Sequence, residues 1–176
     1  PPWDSDLHQD VNLQMNYWPV EAGAMQFAAA ALFKHMERFL PHGKKAAKSL
    51  YGCNGIWLPI QTDPWGRATP ESHGWAVWIG AAAWLAQHFW WHYEYGLDRK
   101  FLRDRAYPFL RETSEFYESY IIYDKKGKAL IVPSQSPENA FAGGYKPVSL
   151  CVNATMDVML ARDVLEHTLR ASQILG

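Results

Sequence analysis

An all-α fold with long loops is what the sequence predicts, and three observations carry it. Apolar residues recur at spacings of three and four through several long segments, strand-like alternation is confined to scraps, and Gly and Pro gather between the helical stretches. Helices packed antiparallel around a centre, with long loops at one end, describe an α/α toroid. No internal sequence repeat is visible, so a plain helical bundle fits the same rhythm.

The opening stretch, PPWDSDLHQDVNLQMNYWP, places His8, Asp10, Asn12, Gln14 and Asn16 at every second position. That alternation predicts an extended segment with a polar face, opposite Leu7, Val11, Leu13 and Met15. Over 20–40 the spacing of Ala22, Met25, Ala29, Phe33, Met36 and Leu40 predicts a helix, which Pro41 and Gly43 should stop. A helical turn or two over 44–51 closes at Gly52. CNGIWLPIQTDPWGRATPESHGW is too punctuated for a helix and too aromatic for a floppy linker, and reads as an ordered loop over a cavity.

Residues 76–95 predict a second long helix, ended by Gly96 and buried on most sides, because its Ala and Trp positions fall all around the cylinder. Asp98 should cap a third helical region with Phe101, Leu102, Phe109, Leu110, Phe116 and Tyr120 on its apolar side. Pro108 either kinks that region or opens a new helix within it. KALIV reads as a short strand after the turn DKKG, and PSQSPENAFAGGYKPVS as another irregular loop. Asn153 is expected to cap the final helix, whose inner face carries Met156, Leu160, Val164, Thr168 and Ala171.

The chain has 176 residues, 48% of them apolar, which suits one domain with a core. A net charge of −1 without long runs of like charge argues against a nucleic-acid partner and against a membrane-binding face. WAVWIGAAAWLAQHFWWHYEY is broken by Gln87, His88, His92 and Glu94, so it predicts a buried helix and no membrane span. Cys53 and Cys151 lack metal-type spacing and are expected to be free buried thiols. The start on Pro-Pro-Trp, without an initiator Met, suggests a piece of a longer protein. The 15% aromatic content fits a packed core, and it equally fits flat rings that stack on sugar faces.

Several side chains are candidates for chemistry. Glu138 in SQSPENAF stands on a Pro-rich turn near aromatic residues, where desolvation would favour the protonated form that a general acid needs. Ser-Pro-Glu also commonly opens a helix, which would make Glu138 a first-turn carboxylate. His8, Asp10 and Asn12 together offer an imidazole, a carboxylate and an amide able to hold a water or sugar hydroxyls, or merely to satisfy backbone groups. A carboxylate that orients water, paired with a separate protonated acid, is what glycosidic cleavage requires. TDPWGRATPESHGW adds Asp63, Trp65, Arg67, Glu71, His73 and Trp75, a mixture that suits a sugar subsite or a stacked structural loop. No second ligand stands at metal-like spacing beside HQD, and no serine elbow, phosphate-cradling loop or dinucleotide fingerprint occurs, so no metal or cofactor is expected.

Taken in order, PPWDSDLHQDVNLQMNYWP, TDPWGRATPES, WIGAAAWLAQHFWWHYEY, FLRDRAYPFLRE and PSQSPEN resemble the catalytic domain of family 95 glycoside hydrolases. That family is best known for inverting α-L-fucosidases, with some members acting on α-L-galactosides. The resemblance spans essentially the whole chain. It implies roughly half of an (α/α)6 toroid within a larger enzyme, an oligosaccharide or glycan substrate, and contact with the remaining domains of the parent chain. It also implies that Glu138 is the general acid and that His8 and Asn12 line the sugar site. Trp65, Glu71 and Trp78 are further expected sugar contacts. The family pattern is His-x-Asn-x-Asn, with an Asp far along the chain helping its two amides position water. Here the first amide is replaced by Asp10, a group that can accept the proton of the water or alter which sugar is taken. The expectation is a glycosidase segment that is inactive alone; the alternative is a non-catalytic carbohydrate-binding or structural half-barrel.

Overall fold

The computed structural model describes residues 7–70, 74–142 and 145–176. A two-residue strand β1 (Leu7–His8) leads into α1 (Val11–Ala22) and α2 (Gln26–Ala46), which runs on as a wider π-helical stretch, Ala47–Tyr51. After β2 (Gln61–Thr62) come α3 (Ala81–Gly96), the short α4 (Arg99–Phe101), a second π-helical stretch Leu102–Ala106, and α5 (Tyr107–Tyr120). Strands β3 (Ile122–Tyr123) and β4 (Ala129–Leu130) form a small hairpin before α6 (Thr155–Leu175). The fold is all-α, and α3 is its axis, packing against α1, α2, α5 and α6.

The core explains that arrangement. Phe89 of α3 stacks on Phe109 of α5 at 4.6 Å and tilts against Phe33 of α2 at the same distance, while Phe101 closes on Phe33 at 5.0 Å. All four rings are buried. Burying a large apolar side chain contributes about 1.5–3 kcal/mol, and favourable ring pairs add about 0.5–1.5 kcal/mol. As its spacing predicts, α3 is buried on most sides. Asp98 caps α4, accepting from the backbone N–H of Lys100 and Phe101, and Pro108 sits in the first turn of α5 instead of kinking a continuous helix. Cys53 and Cys151 are both free; Cys53 is buried and Cys151 half-buried. No helix among the described residues is long and apolar enough to cross a membrane.

The structure departs from the sequence reading in five places. The alternating polar row is extended only as far as His8, and Asn12, Gln14 and Asn16 lie on α1. Leu13, Tyr17 and Val20 are also spaced four and three apart, and their packing on the core selects the helical period over the strand period. The next helix begins at Gln26 because the chain turns at Gly23 and Ala24, leaving Ala22 and Met25 exposed. Pro41 does not stop α2. Pro41 is exposed, whereas Gly43 is buried where an added Cβ would lie 3.2 Å from Ile56, Leu58 and the Trp57 carbonyl, so burial on the inner face carries the helix past one missing N–H.

The third long helix starts at Ala81 and not near 76, since the preceding carbonyls have other partners. Tyr51, Trp57 and Tyr117 donate to the carbonyls of Val77, Trp78 and Ile79, at 3.2, 3.0 and 3.0 Å. Asn153 is not the cap of α6. Its side chain accepts from Ile131 N and donates to Ala129 O, pinning β4, and Ala154 takes the cap position.

Two stability predictions follow from this packing. Phe89→Ala should cost about 3–5 kcal/mol in denaturant unfolding, because the cavity opens between helices that cannot all collapse onto it. His88 is buried on α3 with its ring edge-on to Tyr17 at 6.2 Å and Trp91 at 5.3 Å, and burial pushes its pKa down to about 4. Between the unfolded value of 6.5 and about 4, the unfolded chain binds a proton that the folded chain does not, so stability falls as pH falls through that window. His88→Phe should remove that part of the acid sensitivity, on the order of 3 kcal/mol, in unfolding measured across the window.

Candidate active site

The functional side chains come from two distant stretches. In the first, β1 pairs antiparallel with β2, placing His8 opposite Gln61, and the Gln61 amide meets His8 Nε2 at 3.2 Å. Gln9 N donates to Ile60 O at 2.7 Å, and the buried Gln14 amide donates back to Gln9 O, so the strand-to-helix junction is bolted from beneath. Asp10 occupies the N-cap of α1, yet its carboxylate does not cap the helix. An N-cap Asp normally turns back onto the first-turn N–H groups. Here the carboxylate lines a cleft instead, buried, with Oδ1 making no hydrogen bond among the described residues.

In the second stretch, Ser134 and Cys151 exchange backbone hydrogen bonds and Phe141 pairs with Val148, forming an irregular hairpin over 134–151. Its first arm, between the two bridges, carries a tight turn in which Asn139 N donates to Ser136 O at 2.7 Å. Glu138 sits on that turn, exposed, and no helix follows it, which removes the first-turn reading of Ser-Pro-Glu. The hairpin is anchored by the buried Asp157 of α6, which accepts from Ser134 Oγ at 2.6 Å and Gln135 N at 3.1 Å. The same carboxylate accepts from the Trp78 indole N–H at 3.1 Å.

These two stretches meet. Asp10, Asn12, Trp78, Trp84 and Glu138 line one cavity of about 160 Å³. Asp10, Asn12 and Glu138 also line an adjoining cleft of about 540 Å³ with His8 and Asn16, a volume in the range of small-ligand sites. Burial raises the pKa of Asp10; His8 opposes that rise and the negative charge of Glu138 adds to it. The hollow therefore holds two carboxyl groups that sense each other, an imidazole, two amides, and a Trp wall with Trp78 and Trp84 edge to face at 6.3 Å. It can hydrogen-bond hydroxyls, hold a water, and move a proton at either carboxyl group.

Not every expected residue joins this group. Trp65 is 78% exposed and lines a different groove, beside Lys45, Leu50 and Pro70. Asp63 holds that loop together, accepting from Trp65 N, Arg67 N and the Arg67 guanidinium. Glu71 and His73 lie outside the described residues, and Trp75 is half-buried against the core. Three contributors were not among the chemical candidates of the sequence reading, although Asn16 stood in its polar row. Asn16 stands one helical turn from Asn12, a signal that a helical reading of the opening row would have used. Trp84 lay hidden among the other aromatic residues of α3, and Asp157 resembles an ordinary first-turn carboxylate until its burial is seen. Among the described residues no group of three or more His, Cys, Asp or Glu side chains is placed to hold a metal ion.

The family model described as Glycosyl hydrolase family 95 catalytic domain matches residues 1–176. "Alpha-L-fucosidase 2" of Arabidopsis thaliana is 37% identical over 180 residues, covering 100% of this chain and 21% of that protein. "Probable alpha-fucosidase A" of Aspergillus niger is 31% identical over 145 residues, covering 79% of this chain and 18% of that protein. The chain thus spans about a fifth of the length of these relatives. With a family match along all its residues and a site built from the blocks that resemble the family, the chain belongs to glycosyl hydrolase family 95, a family of α/α toroids.

Proposed function

We propose that this chain carries the acid and part of the water site of an α-L-fucosidase-like enzyme that removes a terminal sugar with inversion. Glu138 is the general acid that protonates the departing glycosidic oxygen. Asp10 and Asn12 hold the attacking water, and Asp10 draws off its proton. His8 and Trp78 bind the sugar. The observation that supports this most directly is that Asp10 and Glu138, from remote parts of the chain, line the same cavity. Inverting hydrolysis needs a protonated carboxyl and a carboxylate on opposite sides of the scissile bond. The toroid is completed by parts of the parent protein outside these residues, so the isolated chain should not turn over an aryl fucoside.

The electrostatics suit a base at position 10. A carboxylate with a raised proton affinity is a stronger base than an ordinary Asp, and Oδ1 of Asp10 makes no hydrogen bond among the described residues. The arrangement costs stability. A folded-state pKa above the unfolded value means that the folded chain binds the proton more tightly, so this group contributes more stability as pH falls through its raised pKa and less above it.

Three outcomes are expected in the full-length protein. Glu138→Gln should lower kcat on an aryl fucoside by about 10²–10⁴-fold while leaving sugar binding, read by calorimetry, nearly unchanged. A non-catalytic binding module would lose neither. Asp10→Asn should lower kcat by about 10²-fold or more and erase the acid limb of the pH–rate profile, which in the native protein should lie above the ordinary Asp value of 3.8. Retained activity would assign the base to a carboxylate elsewhere in the parent protein. The same substitution should raise the melting temperature at neutral pH, because it removes a buried charge that the folded state disfavours.

A further inference from the structure

We propose that Asp157 is a positioning residue for the general acid: its buried carboxylate fixes the Glu138 hairpin and the Trp78 wall in one rigid unit. The proposal rests on the reading of Glu138 as the acid.

The hydrogen-bond pattern admits little else at this position. Asp157 is fully buried, and both oxygens face donors only. Oδ2 receives the Ser134 hydroxyl and the Gln135 N–H, and Oδ1 receives the Trp78 indole N–H. The Ser134 hydroxyl donates to Asp157 while its oxygen accepts from Ala154 N at 2.9 Å. An Asn at this site would turn an N–H toward a donor in either orientation, toward Gln135 N–H in one and the Trp78 indole in the other. The two oxygens of a carboxylate satisfy all three donors.

A buried anion is costly unless charge and hydrogen bonds compensate it, and among the described residues Asp157 forms no ion pair. Stability alone would be better served by an apolar side chain. What the carboxylate does accomplish is to join three separate segments at the site: the turn before α3 through Trp78, the hairpin through Ser134 and Gln135, and the start of α6. Gln135 is three residues from Glu138, and its own side chain donates to Gly74 O and Ser149 Oγ, bracing the hairpin from the other side. The exposed acid is thus held by its buried root. A displacement of about 1 Å in such a group can cost about 10²-fold in rate.

The test uses leaving-group dependence in the full-length protein. A glycosyl fluoride departs without a proton, whereas an alkyl or weakly activated aryl glycoside needs the acid. Asp157→Asn should lower kcat on the poor leaving group by about 10²-fold. On the fluoride it should leave kcat little changed, with KM little changed on both. Ser134→Ala removes one of the three donors and should show the same selectivity to a smaller degree, and it carries the test if D157N does not fold. Equal loss on both substrates, or no loss on either, overturns the proposal. Glu138→Gln is run in parallel. If it shows the leaving-group selectivity and the Asp157 and Ser134 variants do not, the positioning role fails alone; if it shows none, the acid assignment and the positioning role fall together.

Discussion

A carboxylate that forms no ion pair among the described residues, at the start of α6, holds the walls of this site together. Asp157 collects hydrogen bonds from an indole, a hydroxyl and a backbone amide that belong to segments far apart in the chain. Burial raises its pKa, while the same three donors favour the ionised form. The site is therefore stabilised by an interaction that works only when complete, since a lost donor or acceptor leaves buried polar groups unpaired.

The rest of the architecture serves that meeting point. Three aromatic side chains, the half-buried Tyr51 and the buried Trp57 and Tyr117, donate to the carbonyls of 77–79 and hold the turn before α3 open. That turn carries Trp78 to the cavity, where its ring forms a wall while its N–H reaches Asp157. On the other side, the pairing of His8 with Gln61 and the buried Gln9–Gln14 contact fix where α1 begins, and so where Asp10 and Asn12 point. Much of the aromatic content is structural. The Phe33–Phe89–Phe109 cluster builds the core, and Trp78 belongs to both core and site.

Function and stability pull in different directions here. A negative charge on Glu138 adds to the burial that raises the pKa of Asp10, and Asp10 Oδ1 makes no hydrogen bond among the described residues. Each feature is unfavourable for folding and useful for proton transfer, a conflict expected where a site is built on a scaffold able to bear its cost.

Sequence alone determined the helical class, the burial of α3, the Asp98 cap and the free cysteines, because each depends on local periodicity or local backbone chemistry. It also singled out Glu138, His8, Asp10 and Asn12 as chemical candidates and, through ordered motifs, the family. Tertiary structure alone decided that the opening row winds into a helix, that Pro41 is carried through, that Asn153 pins a strand, and that Trp65 faces another groove. It alone revealed Asp157. The physical reason is common to all of these: periods of two and of about 3.6 both fit a short polar row, and a carboxylate in a first helical turn looks the same exposed or buried. Which reading holds depends on packing partners and hydrogen-bond donors supplied by segments distant in the chain.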